Sequence, residues 1–219
     1  MILHLETSTQ ICSVALSNQG KLVAIEESYA EQYIHGEQLT LFIQKVLAAA
    51  DLTPDQLTAV SVSKGPGSYT GLRIGMATAK GLAFGLNIPI IGISSLESLI
   101  AQGQLKYSDA TFAAAFAARK SEVFLRIQSE KSLLLEDQSV DLENFTFEAN
   151  RPLVLLGNAC HSLFDYFRSQ QHISDETIVP SALGQVLLAW KRIEIGAVDQ
   201  LYTLTPNYTK PCFITQKKG

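Results

Sequence analysis

The densest group of residues able to do chemistry is Ser63-Lys64-Gly65-Pro66-Gly67-Ser68-Tyr69-Thr70-Gly71-Leu72-Arg73-Ile74-Gly75, a glycine-rich stretch between an apolar run and a helical one. Backbone N–H groups exposed where a strand turns into a helix, together with the helix dipole, favour an anion, so a phosphate would fit there. The spacing matches neither G-x-x-x-x-G-K followed by Ser or Thr nor G-x-G-x-x-G, and a tight strand-to-helix turn accounts for the same residues. His4, His35, His161 and His172 stand singly, with no H-x-x-x-H or H-E-x-x-H pair, so no zinc site or zinc-protease signature is present. No G-x-S-x-G elbow supports serine hydrolase chemistry. Cys12, Cys160 and Cys212 are far apart, which excludes a disulfide framework or paired zinc ligands and predicts free thiols behaving as small buried hydrophobes.

The elements that position these residues follow from composition and period. With 219 residues, 47% hydrophobic and 17% charged, the chain can bury a core without staples. A net charge of −4 with no long basic run before Lys217-Lys218 disfavours direct, tight binding of a nucleic acid. MILHLETSTQ lacks the basic head and long apolar run of a secretory signal, and no stretch of about 18 apolar residues would span a membrane, so a cytoplasmic location is expected.

Residues 2–8, Cys12–Leu16 and Leu22–Glu27 read as a three-stranded meander, with Asn18-Gln19-Gly20 as hairpin turn chemistry. A helix over Gly36–Ala50, ended by Asp51-Leu52-Thr53-Pro54, a strand over Leu57–Ser63, a helix over Leu72–Gly85, a strand over Ile88–Ile93 and a helix over Leu96–Ala101 behind Ser94-Ser95 complete the first half. The order then recurs: strands at Phe112–Ala117, Glu122–Gln128 and Leu133–Glu136, a weak helical stretch at Leu142–Phe147, a strand at Leu153–Leu156, a helix at Cys160–Arg168, a strand at Thr177–Val179, and a helix at Ala182–Ile195 capped by Ser181. Two βββαβαβα units describe an α/β chain with the duplicated actin/hexokinase/Hsp70-like (ASKHA, RNase H-like) fold; ordinary α/β alternation is the alternative. The boundary is expected in the polar stretch Gln102–Ser108, giving an N-terminal subdomain over 1–103 and a second over 104–219.

In kinases and ATPases of that superfold a carboxylate at the end of the first strand holds magnesium. Here that place carries Glu6-Thr7-Ser8-Thr9, and the extra methylene of a glutamate moves the charge within a geometry that tolerates little displacement. Glu6, Thr7, Ser8, Gly65, Gly67 and Ser68 therefore make a candidate nucleotide site of vestigial character; a strand-end glutamate with turn hydroxyls is the structural alternative. In the helix beyond, Gly71, Gly75, Ala79 and Ala83 recur every fourth residue, and glycine inside a helix costs about 1 kcal/mol against alanine. Close approach of another backbone, from this chain's own sheet or from a partner's helix, would account for the stripe. The preceding helix has apolar Leu41 and Ala48 outside its Leu39/Phe42/Ile43/Val46 stripe, an excess that implies burial on two sides. Leu39, Phe42, Ile43, Val46, Gly71, Leu72, Gly75, Met76 and Ala79 are accordingly the candidate partner interface.

Thr7-Ser8-Thr9 with Cys12-Ser13-Val14-Ala15-Leu16, His35 at the head of the first helix, Gly65 through Gly75, Ala79-Lys80-Gly81-Leu82-Ala83 and Gly92-Ile93-Ser94-Ser95-Leu96-Glu97 together resemble the TsaB (YeaZ) family. Ala118-Arg119-Lys120-Ser121-Glu122-Val123-Phe124 is similar to its D-A-R-x-x-E-V-Y turn, and Pro206-Asn207-Tyr208-Thr209-Lys210 to its P-x-Y-x-R ending. The resemblance is dense through residue 97 and sparse afterwards. It implies an actin-like fold and a non-catalytic role in placing a threonylcarbamoyl group on the adenosine beside the anticodon of tRNAs. The chemistry would belong to a paralogue, TsaD, which carries paired histidines and a metal; this chain would scaffold and activate TsaD, meet the ATPase TsaE, touch tRNA only through the complex, pair with itself when alone, and need no cofactor. Glu6-Thr7 replaces the D-T of many members, and Ala117-Ala118-Arg119 lacks the acid of D-A-R, so a role tied to that carboxylate does not carry over. An actin-like phosphotransferase or ATPase using Glu6 with the Gly65–Gly71 loop is the alternative; a zinc peptidase is weaker still, for want of a histidine pair.

Overall fold

The computed structural model describes residues 1–29, 35–119, 121–149, 151–167 and 171–209. Lys120, Arg168, Lys210, Cys212, Lys217, Lys218 and the side chain of His35 lie outside the described residues.

Strand β1 (Ile2–Glu6) runs through the middle of a five-stranded sheet in the order β3-β2-β1-β4-β5, with β2 at Ile11–Asn18, β3 at Lys21–Tyr29, β4 at Ala59–Gly65 and β5 at Ile90–Ser94. It pairs antiparallel with β2 and parallel with β4. The β2–β3 turn places both Gln19 and Gly20 at positive φ, as a tight hairpin between right-twisted strands requires. All five residues of β1 are buried, because helices cover both faces of the sheet. On one face α1 (His35–Ala49) and α2 (Tyr69–Leu86) pack Leu39, Phe42, Ile43, Val46, Met76, Ala79 and Ala83 against Leu3, Leu5, Val60 and Val62.

The second sheet repeats the first. Its order is β10-β9-β6-β7-β8, with β6 at Thr111–Ala117, β7 at Glu122–Ser129, β8 at Leu133–Asp141, β9 at Leu153–Leu156 and β10 at Ile173–Asp175. The central β6 is antiparallel to β7 and parallel to β9, as β1 is to β2 and β4. This is the duplicated actin-like arrangement expected from the recurring element order.

The final helix of each half crosses to the other sheet. α3 (Ser95–Lys106) lays Leu96, Leu99 and Ile100 on Phe112, Ala114, Phe116, Val154 and Leu156 of the second sheet. α5 (Gln185–Glu194) lays Ala189 on Ile2, Ile91 and Ile93 of the first, with Trp190 and Ile193 beside it. Residue 103, where the sequence places the subdomain boundary, is thus inside a helix that packs on the second sheet.

Four expected elements differ, each for a local reason. Leu142–Phe147 is not helical: Asp141 accepts from the Glu143 main chain and the Asn144 side chain, closing a turn, and Leu142, Phe145 and Phe147 pack on the second core from an irregular segment. The strand expected at Thr177–Val179 lies earlier, at Ile173–Asp175, because Asp175 Oδ1 accepts from both Thr177 N–H and Thr177 Oγ1, an Asx turn that ends pairing. The helix from Cys160 ends at Tyr166, and Ala182–Gly184 forms a tight 3-10 turn before α5.

A directional chain of buried hydrogen bonds joins α5 to the first sheet. Ser61 Oγ donates to Gln185 Oε1 at 2.7 Å, so it must accept from His4 Nδ1–H at 2.6 Å, and His4 Nε2 must accept from Ser17 Oγ at 2.7 Å. Gln185 Nε2 closes the chain on the Leu5 carbonyl at 2.9 Å. Burial pushes the His4 imidazole down to about 3. Below about pH 6.5 the unfolded chain binds a proton at this residue that the folded chain refuses, so stability falls as pH drops towards 3. Urea unfolding between pH 6.5 and 4 is expected to show a loss of about 1.4 kcal/mol per pH unit from His4, and His4→Gln is expected to lack that component; an unchanged slope in the variant refutes the assignment.

Candidate functional site

A cleft of about 1470 Å³ opens between the two sheets. One wall is the β1–β2 turn, Ser8, Thr9 and Gln10, with Gly67 and Ser68 ahead of α2; the other is the β6–β7 turn, with Ala117, Ala118, Arg119, Ser121 and Glu122. Asn158 and His161, at the start of α4 (Cys160–Tyr166), complete the second wall.

Each wall is held by a glycine where a strand turns into a helix. Gly67 has φ +155°, and a Cβ on it would lie 2.3 Å from the Ser8 carbonyl oxygen. Gly157 has φ +95°, and its Cβ would lie 2.2 Å from the Ala115 oxygen. Only glycine fits such left-handed close approaches. Ser68 N–H donates to Ser8 O at 2.6 Å and Ser68 Oγ caps α2 through Gly71 N–H, while Asn158 Oδ1 accepts from Ala117 N–H at 2.8 Å. The duplicated fold thus brings two like junctions face to face.

Of the candidate nucleotide residues, Ser8, Gly67 and Ser68 line the cleft; Glu6, Thr7 and Gly65 are fully buried behind it. Thr7 Oγ1 donates to the Gly71 carbonyl at 2.9 Å and Thr7 N–H to Ser63 Oγ at 3.2 Å, which is structural work. Glu6 Oε1 accepts from Ser8 N–H at 2.7 Å, and Oε2 has no hydrogen-bond partner. Burial raises the Glu6 carboxyl above the usual carboxylate range against the opposing pull of the Ser8 bonds. A carboxyl held towards its neutral form beneath the turn is a poor magnesium ligand. Among the described residues no three His, Cys, Asp or Glu side chains converge on a point that could hold a metal.

The residues that sequence reasoning left without a site are those of the second wall. Arg119 brings a guanidinium to the cleft, and His161 Nε2 lies 2.9 Å from Glu176 Oε1 at its rim. Ser121 Oγ donates to Asp141 Oδ1 at 2.6 Å, but Asp141 also holds the turn after β8, so it is no dedicated base. The thiols are inert: burial pushes Cys12 up to about 12 and Cys160 up to about 11. The second wall was readable as the Arg119–Glu122 turn between two strands; that it faces Ser8 follows only from the duplication.

The candidate partner residues are turned inward. Leu39, Phe42, Ile43, Val46, Leu72, Met76 and Ala79 are buried by this chain's own sheet, as are Gly71 and Gly75. A Cβ on Gly75 would meet Thr7 Oγ1 at 2.3 Å. The stripe therefore lets α2 approach the end of β1, and a leucine at 75 would probe that packing. The outward faces carry other residues: Leu41, 53% exposed, on α1, and Phe84, 67% exposed, on α2, with Gly81 and Gly85, whose added Cβ atoms would meet nothing within 4 Å.

The model of the TsaD family, tRNA N6-adenosine threonylcarbamoyltransferase, matches residues 29–162. A tRNA threonylcarbamoyladenosine biosynthesis protein TsaB from Bacillus subtilis is 35% identical over 164 residues, 72% of this chain and 70% of that protein. The chain belongs to the TsaB (YeaZ) family. Its Escherichia coli relative of the same name is 38% identical over 124 residues, 56% of this chain, and the matched region spans about half, 52%, of that protein. The fold is that of YeaZ from Pseudomonas aeruginosa, at a TM-score of 0.80 and 24% identity over 94% of this chain and 98% of that one. Among the described residues no helix is long and apolar enough to cross a membrane.

Because the folded pKa of Glu6 exceeds its unfolded value of 4.5, the stability it contributes is complete below that pH and is lost as pH rises through the raised value. Glu6→Gln keeps the acceptor for Ser8 N–H without the buried charge. Its melting temperature is expected to gain on that of the parent as pH rises above 4.5; a widening loss instead would mean that an ionised Glu6 supports the fold.

Proposed function

We propose that this chain is a non-catalytic scaffold and activator subunit of the tRNA threonylcarbamoyladenosine modification complex. It binds TsaD through the outward faces of α1 and α2, enables threonylcarbamoyl transfer by TsaD, and pairs with a second copy through the same faces when TsaD is absent. TsaE joins the assembly, and tRNA is met through the complex. The observation that carries this reading is the pair of adjacent helices whose outward surface, among the described residues, is apolar or bare backbone: Leu41 and Phe84 exposed, and Gly81 and Gly85 with no described atom within 4 Å of an added Cβ. Gly81, inside α2, costs about 1 kcal/mol against alanine and meets no contact among the described residues, and Gly85, in the last turn, meets none there either. Helices of a sister protein, able to approach a surface without side chains, supply the reason. The match of the TsaD family model to a segment containing both helices supports like-with-like pairing.

An actin-like phosphotransferase or ATPase is the second reading, favoured by the size of the cleft and opposed by the buried carboxyl of Glu6. Calorimetric titration with magnesium-ATP separates the two: micromolar binding that Glu6→Ala abolishes would support the enzyme.

Reconstitution of the modification from TsaD, TsaE and the enzyme that makes threonylcarbamoyl-adenylate, with and without this chain, tests the activating role directly. Phe84→Glu is expected to leave the melting temperature of the chain within about 2 °C, since Phe84 is outside the core, and to abolish both co-purification with TsaD and activation. Undiminished co-purification would remove this face from consideration.

A further inference from the structure

Beyond α5 the chain returns to the first sheet. Leu204 is buried against Gly92, Asn207 N–H donates to the Lys64 carbonyl at 2.6 Å, and Thr209 N–H donates to Asn207 Oδ1 at 3.0 Å, which fixes the turn. Gly65, at φ +100°, admits this segment: its Cβ would lie 2.5 Å from the Asn207 carbonyl oxygen. The segment ends on the first turn of α2, where the Tyr208 and Tyr69 rings pack at 5.0 Å between centroids. The Arg73 guanidinium lies 4.0 Å from the Tyr69 ring centroid, and Arg73 Nε donates to Tyr208 Oη at 3.1 Å.

This cluster is built and outward-facing. Tyr69 is 43% exposed, Arg73 is exposed, and both lie on the outward side of α2 that carries exposed Ala77 and Phe84, one to four turns further along. Tyrosine and arginine held by one another lose little freedom on docking and are the residues that dominate interface energies. A net charge of −4 and the mutual engagement of the two rings make a nucleic acid the less favoured occupant.

α2 runs for 18 residues with no basic residue in its last turn, where the dipole favours a cation. When two copies of α2 pair about a two-fold axis at the level of Ala77 and Gly81, their directions oppose, and position 73 of one falls beside position 85 of the other. Arg73 and Gly85 are equally distant from Ala79 along the helix, and Gly85 puts no side chain in the way. Arg73 of each copy then stands beside the last turn of the other, which carries no basic residue of its own.

We propose that Arg73, braced by Tyr69 and Tyr208, docks against the C-terminal end of α2 in a second copy of this chain, so that the segment after α5 is part of the self-pairing surface. The proposal rests on the α1/α2 reading above and adds a cation clamp at each end of that face.

Sedimentation velocity of the isolated chain over a micromolar concentration series tests it. The parent is expected to associate. Arg73→Glu is expected to weaken association by about tenfold or more, and Tyr208→Ala by several-fold, each with an unchanged circular dichroism spectrum, while Tyr208→Phe retains the ring and most of the affinity. Added salt is expected to weaken the parent and to affect Arg73→Glu little. Parent-like association of both Arg73→Glu and Tyr208→Ala, with Phe84→Glu monomeric, overturns the clamp and leaves the helix face standing. Parent-like association of Phe84→Glu overturns the helix face itself. A parent that stays monomeric throughout overturns self-pairing, whereas the TsaD reading is then judged by co-purification alone.

Discussion

The architecture depends on the exchange of terminal helices between its halves, and the exchange is held by one buried polar chain. Gln185, fully buried at the head of α5, satisfies its amide through Ser61 and the Leu5 carbonyl, and Ser61 in turn fixes the tautomer of His4. An apolar helix could slide on the flat face of Ile2, Ile91 and Ile93; the hydrogen-bonded amide gives it one register, since any shift would leave buried donors and acceptors unpaired at about 1–3 kcal/mol each. With α5 fixed on the first sheet and α3 on the second, the two sheets cannot separate as independent domains. The cleft between them is therefore a permanent feature rather than a gap between loosely tethered parts.

The loop ahead of α2 is pressed on the β1–β2 turn so closely that Gly67 touches the Ser8 backbone, and the carboxyl that a magnesium nucleotide would need is sealed behind the contact. The same close packing that shapes the turn removes Glu6 from water and pushes it towards the neutral form. The two junctions of the actin-like fold act as structural joints, with Gly67 and Gly157 each in close contact with a carbonyl oxygen.

Much of this was legible in the sequence, and what was not has a common cause. The meander, the Asn18–Gly20 turn, the three helices of the first half and the recurrence of the order followed from period and turn chemistry, which are local. The errors at Leu142–Phe147 and Thr177–Val179 came where a single aspartate, Asp141 or Asp175, redirected the chain by accepting several nearby donors, a choice that hydrophobic spacing does not encode. Asp175 is further held by Lys106 and Tyr107 from α3 and its end, the Lys106 bond contributing most to keeping its carboxyl well below the usual range. The crossing of α3 and α5 was equally invisible, because a helix with one apolar stripe does not say which sheet will receive it.

The clearest case is α2, in which one sequence pattern has two physical meanings. Gly71, Gly75, Ala79 and Ala83 recur every fourth residue, and so do Ala77, Gly81 and Gly85; the pattern of small residues is the same whether the nearest backbone belongs to this chain or to another. Orientation decides. The first set is buried against Thr7 and the sheet, so its glycines are accounted for by internal contact; the glycines of the second meet nothing among the described residues, and the cost of about 1 kcal/mol at Gly81, inside the helix, has no offset there. A helix that is smooth on both faces can lie close to its own sheet and accept a second helix on the other side. The proposed interchain contact thus rests on subtraction, on those small residues for which the described residues of the folded chain supply no contact.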